Sequence, residues 1–247
     1  MTLKLKSNAL LIAAGLLSAQ TAFAGSLAPA IEDSAVEVVT PSAVDWSGFY
    51  AGATAGYLSG SSLFCQEGAS ETCEGNPQDF DLPEPEPEGN VFGLTGGYNW
   101  QNGPLVYGVE ADISKANADG SAPDSSGYGC GGNCQTDILA IATLRGRVGY
   151  ALDKWLPYAT AGVGAMQVEV GFPDYDPATL NKDIIVTPVI GLGVEYMASE
   201  KISLKLEALH FFEKEELVPA DNDPCGAPCG PTDIEASVLR FGVNYHF

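Results

Sequence analysis

The chain has 247 residues, 45% of them hydrophobic and only 17% charged, with 29 glycines and a formal net charge of −21. The excess of 32 Asp and Glu over 11 Lys and Arg excludes a nucleic-acid binder, which needs a basic face to meet phosphates. A mean hydropathy of +0.05 is too apolar for a disordered chain and too polar for a helical membrane bundle.

At the start of the chain, Lys4 and Lys6 precede the apolar run 9–17 and then Ala22-Phe23-Ala24. A charged segment, a short apolar segment and an A-x-A site predict a signal peptide over 1–24, cleaved after Ala24. The run falls well short of the roughly 20 residues that a spanning helix requires. The mature chain of 223 residues would carry −23, and export would place it in an oxidising compartment. Residues 25–45, small and polar with Pro29 and Pro41, read as a flexible periplasmic leader.

From residue 46 onward the pattern has period two, the signature of strands. Phe49, Ala51, Ala53, Ala55 and Tyr57 share one face; Phe92, Leu94, Gly96, Tyr98 and Trp100 continue it. Then come Tyr107, Val109, Ala111 and Ile113, followed by Ile138, Ala140, Ala142, Leu144, Val148 and Tyr150. A weaker stretch covers 158–168. The last three are Ile190 to Tyr196, Ile202 to Ala208, and Leu239 to Phe247 at every second residue. Eight strands result. Short turns at 102–104, 153–154 and 198–200 alternate with long loops at about 61–89, 116–134, 170–183 and 213–232. This alternation predicts an all-β, eight-stranded antiparallel up-and-down transmembrane β-barrel over 46–247, with the long loops outside the cell. Trp46, Tyr57, Trp100, Tyr107, Tyr150, Trp155 and Tyr158, near segment ends, are expected to form interfacial girdles.

If the apolar register faces lipid, the opposite register carries Glu110, Asp112, Arg145, Arg147, Glu195, Lys205, Glu207 and Arg240. Four acids and four bases would then face inward, away from positions where Arg or Lys costs about 2–4 kcal/mol at mid-bilayer. An eight-stranded barrel is only wide enough for side chains to fill it, so a plugged ionic interior is expected. Pro188 conflicts with this scheme, because a closed barrel has no free edge for it; a bulge or a later strand start would resolve the conflict. The six cysteines fall in the long loops as local pairs, Cys65 with Cys73, Cys130 with Cys134 and Cys225 with Cys229, and read as disulfides. No histidine lies near them and the spacing is not C-x2-C, so no metal site is expected there. The first loop is acidic, and its Pro83-Glu84-Pro85-Glu86-Pro87-Glu88 run favours an extended polyproline II chain.

Several motifs together resemble the opacity-type, porin-like small outer-membrane barrels of Gram-negative bacteria. Asp45-Trp46-Ser47-Gly48-Phe49-Tyr50-Ala51-Gly52 is similar to the family's opening, and Thr143-Leu144-Arg145-Gly146-Arg147-Val148-Gly149-Tyr150 to its central strand. Pro157 to Gly162 resembles the following strand, and Arg240 to Phe247 the aromatic C-terminus. The resemblance implies an OmpA-like barrel, and it implicates Tyr245 and Phe247 as the signal read by the barrel-assembly machinery. The cysteine-bearing loops depart from the family, so loop-borne functions do not carry over.

The chemistry expected of this chain is sparse. His210 falls on the outward register and His246 points inward, and Phe212 stands where a Ser-His-Glu deacylase of barrel type would have its serine. No catalytic residues and no cofactor are expected. The expected role is structural and surface-displaying, in contact with outer-membrane lipid and lipopolysaccharide, with acidic loops available to an extracellular ligand. The alternative is a narrow small-solute porin. The four long loops hold 18 of the 32 acids and only Lys182 and Lys214 as bases, so most of the charge imbalance is expected on the outer surface.

Overall fold

The computed structural model describes residues 44–66, 83–123, 132–174, 180–217 and 229–247. The expected signal peptide and almost all of the leader lie outside these residues, as do Cys73, Cys130, Cys225 and much of the acidic first loop. Eight strands are present: β1 (Gly48–Gln66), β2 (Glu88–Asn102), β3 (Leu105–Pro123), β4 (Asn133–Tyr150), β5 (Trp155–Gly171), β6 (Asn181–Met197), β7 (Ile202–Leu217) and β8 (Cys229–His246). Each pairs antiparallel with the next, and β8 returns to β1 to close the barrel.

The register fixes the barrel's shape. A hydrogen-bonded row that starts at Ile184 on β6 passes through Gln167, Ala140, Lys115 and Phe92, then continues around the wall. Through Ala55, Phe241 and Leu206 it returns to β6 at Val194, ten residues from its start. A stagger of that size tilts the strands by about 35–45° to the axis. The strands are long because only part of each crosses the apolar band. Leu94, Ile113 and Leu144 are 65%, 64% and 61% exposed on the outer face, and the remaining length projects beyond that band on the long-loop side.

The hydrogen-bonded ladders reach past the loop boundaries expected from sequence. The Pro-Glu run is an example. Its chain is extended but docked on β1: the amides of Gly60, Ser62 and Phe64 donate to the carbonyls of Pro87, Pro85 and Pro83. Proline has no N–H yet keeps its carbonyl, so the run can accept bonds from β1 along one side. Its proline rings are buried and Glu84, Glu86 and Glu88 point outward.

Three further expectations need correction. Ile138 faces the interior, because β4 carries an extra residue between Ile138 and Ala140 where it meets β5. A one-residue insertion moves the following side chains to the other face. Trp46 and Tyr158 are also inside rather than in the aromatic girdles, whereas Tyr57, Trp100, Tyr107, Tyr150 and Trp155 are exposed on the outer wall. Pro188 lies within an unbulged β6 that neither starts late nor breaks its pairing to β5. It sits where the β6–β7 ladder ends, since β6 pairs with β7 only from Val189 to Met197. The Thr187 hydroxyl donates to the Phe212 carbonyl at 2.7 Å across that split.

Candidate functional site in the barrel interior

The interior is layered. At the short-turn end Trp46, Val106, Leu156 and Met197 form a small apolar cluster. Toward the long loops a larger one gathers Leu58, Phe64, Ile138, Ile141, Met166 and Phe211, among others. Between them lie Glu110, Asp112, Arg145, Arg147, Glu195, Lys205, Glu207 and Arg240, all buried.

Strand register brings most of these charges together. Glu110 stands opposite Arg145, Glu195 opposite Lys205, and Glu207 opposite Arg240 on adjacent strands. Closure of the barrel adds contacts that cross it. Arg145 from β4 reaches Glu110, Asp112 at 2.8 Å and Glu207 at 3.0 Å. Lys205 from β7 reaches Glu110 on β3 at 2.9 Å. Arg240 meets Asp112 at 2.8 Å and Glu207 at 2.6 Å. Arg147 holds Glu195 at 2.9 Å and approaches Glu110 at 3.5 Å. Every acid of the set therefore has an arginine partner, and the eight charges sum to zero. Buried ions need that degree of pairing, because desolvation costs several kcal/mol per ion.

Polar side chains complete the layer. The Thr143 hydroxyl donates to Asp112 and accepts from Arg145 Nε at 2.8 Å. Glu195 accepts from the Ser203 hydroxyl and from Asn244 Nδ2, the latter at 2.7 Å. His246 packs its Nε2 2.9 Å from Ser203, with its ring against Trp46 and Tyr50. His210 is on the outer face, 3.0 Å from the Ser237 hydroxyl.

Two tyrosines belong to this layer that the sequence reading did not place in it, Tyr50 and the expected girdle residue Tyr158. The Tyr50 hydroxyl donates to Glu110 at 2.7 Å and accepts from Arg147 at 3.0 Å. The Tyr158 hydroxyl donates to Glu207 at 2.8 Å. The Arg147 guanidinium lies 4.1 Å from the Tyr158 ring centre and 5.5 Å from that of Tyr50. Each ring lies over a bare position directly across the sheet, Gly97 for Tyr50 and Gly193 for Tyr158. A Cβ at either glycine would fall 2.4 Å from the ring or its hydroxyl. The signal was the alternation itself: Tyr50 and Tyr158 have the parity of inward Thr54 and Thr160.

Of the cysteines, Cys134 is buried in the larger interior apolar cluster. Cys65 and Cys229 lie at strand ends, and the other three are outside the described residues. Tyr245 and Phe247 project outward, in edge contact with each other at 5.2 Å.

A closed eight-stranded antiparallel barrel with an apolar outer belt, aromatic flanks and a charged layer buried inside is an outer-membrane protein. Comparison with known proteins agrees. Residues 9–247 match the family model described as "Outer membrane protein beta-barrel domain", and the chain belongs to that family. It is 30% identical over 224 residues to the "31 kDa outer-membrane immunogenic protein" of Brucella melitensis, covering 87% of this chain and 90% of that protein. It is 36% identical over 112 residues to the "22 kDa outer membrane protein" of Rhizobium leguminosarum bv. viciae, 45% and 46% of the two chains. Among solved structures, the outer membrane protein OprG of Pseudomonas aeruginosa shares the fold with a TM-score of 0.52 at 14% identity, over 81% of this chain and 97% of that one.

Proposed function

We propose that this protein is a structural and surface-displaying barrel whose interior is closed to solutes. The observation that carries the reading is the ionic layer, above all Lys205 reaching Glu110 across the barrel and Arg145 shared among three carboxylates. A solute passing along the axis would have to separate ion pairs in a region that is apolar above and below. In this reading the protein acts through its outer surface: lipid and lipopolysaccharide around the wall, and the acidic loops toward an extracellular ligand. Tyr245 and Phe247 serve the barrel-assembly machinery during insertion, and no catalytic step is assigned. Planar-bilayer recording of the purified protein tests this. The expected trace has no steady conductance for the native chain or for Glu110→Gln. Steady conductance that changes with Arg145 or Glu110 would overturn the closed interior in favour of a narrow porin.

A further inference from the structure

The outer wall carries a second charged feature, separate from the interior layer. One hydrogen-bonded row runs along outward positions from Ser59 on β1 through Glu88, Asp119, Asp137 and Glu169 to Lys182 on β6. Four carboxylates thus stand side by side on four consecutive strands, each directly opposite the next. Neighbouring strands are only about 4.8 Å apart, and like charges in directly opposed positions repel.

The two ends of this row are relieved and the middle is not. Glu88 accepts from the Tyr57 hydroxyl at 3.0 Å, and Glu169 pairs with Lys182 at 2.8 Å. Among the described residues neither Asp119 nor Asp137 meets a base. Asp137 is only 8% exposed. Its Oδ2 accepts from Gln135 Nε2 at 2.6 Å, while its Oδ1 has no hydrogen-bond partner. A carboxylate that is more than nine-tenths buried and flanked by Asp119 and Glu169 is costly as an anion unless a cation stands beside it or a proton neutralises it.

We propose that this row binds hard divalent cations, calcium or magnesium, with Asp137 as the ligand shared between Asp119 and Glu169. Among the described residues no three acidic side chains converge into a cage of their own. A ladder of carboxylates one strand apart instead suits ions held by two neighbouring side chains, with water or a lipid phosphate completing the shell. Magnesium in particular is commonly bound in that way. The row lies on the outside of the barrel toward its long-loop end, so an ion held there remains open to the outer leaflet.

The test uses the full chain refolded in a non-ionic, phosphate-free detergent, with calcium chloride alone as the probe and sodium chloride at matched ionic strength as reference. The readout is the midpoint of heat-induced unfolding on unboiled gels. Calcium is expected to raise the midpoint beyond the sodium reference; at ten times its Kd the folded-to-unfolded ratio rises about elevenfold. Asp137→Asn, which breaks both pairs, is expected to abolish the shift, and Asp119→Asn, which leaves the Asp137–Glu169 pair, to reduce it. Glu86→Gln removes the same charge from an exposed position outside the row and should keep it. An equal effect of sodium, a shift retained in Asp137→Asn, or an equal loss in Glu86→Gln would overturn the site in favour of diffuse attraction to an acidic surface. If Asp137→Asn does not refold, calcium binding by the Asp119→Asn chain at equilibrium decides: native stoichiometry overturns the proposal, and a lost ion supports it.

Discussion

Arg145 touches more carboxylates than Arg147, yet Arg147 is the costlier residue to remove. Replacing Arg145 with Met leaves Glu110 with Lys205 at 2.9 Å and Arg147 at 3.5 Å. Asp112 and Glu207 keep Arg240 at 2.8 Å and 2.6 Å. No acid is stranded, so the loss belongs at the lower end of the roughly 3–5 kcal/mol range for breaking a buried pair. Replacing Arg147 with Met removes the arginine from Glu195 and leaves it no salt bridge to a lysine or arginine among the described residues, only hydrogen bonds from Ser203 and Asn244 and the facing Lys205 on β7. It also removes the guanidinium from between the Tyr50 and Tyr158 rings, about 0.5–2 kcal/mol more. The expected cost is therefore at or above about 5 kcal/mol. Denaturant unfolding in detergent, followed by tryptophan fluorescence and gel mobility, measures both variants. A cost for Arg147→Met equal to or smaller than that for Arg145→Met would refute the reasoning, because it would mean that the pairs do not act through the partners they leave behind.

Two adjacent glycines should respond in opposite ways. Gly97→Ala would place a methyl 2.4 Å from the Tyr50 hydroxyl and should cost about 1–3 kcal/mol, whereas the nearest atom to a Cβ at Gly96 is 3.7 Å away, so Gly96→Ala should stay within about 0.5 kcal/mol. Equal stabilities in the same unfolding assay would show that the Tyr50 ring does not lie against that wall. Peptide mass mapping of the unreduced, exported chain should find Cys65–Cys73, Cys130–Cys134 and Cys225–Cys229; links between different loops or free thiols would refute local pairing.

Strand existence was legible because lipid on one side and a filled interior on the other impose a period of two on every wall segment. The same alternation assigned a side of the wall to each charge, and the in-register pairs Glu110–Arg145 and Glu207–Arg240 follow once neighbouring strands are aligned. What alternation cannot supply is the contact across the barrel. Lys205 and Glu110 are joined by closure and shear, which no local pattern encodes. Nor does alternation survive an inserted residue. The irregularity beside Leu139 turns Ile138 inward, although its spacing from Ala140, Ala142 and Leu144 places it with the lipid-facing set. The Pro83–Glu88 run is extended as its composition implies, but composition does not reveal that its carbonyls meet the amides of Gly60, Ser62 and Phe64 on β1.

The layering of the interior bears on why its charges are tolerated. A buried ion pair is strengthened by low local dielectric and weakened by water or salt that reaches it. Here the ionic layer has apolar side chains beneath it at Leu156 and Met197 and above it at Leu58, Ile141 and Phe211. The apolar caps hold screening down, and neutrality of the set removes any net charge that would otherwise draw in a counterion. The outer wall is not balanced in this way: Asp119, Asp137 and Glu169 share one sign on neighbouring strands, and of the three only Glu169 has a base beside it, Lys182. A strongly acidic chain can therefore fold around a neutral interior, because none of its unbalanced charge has to enter the ionic layer.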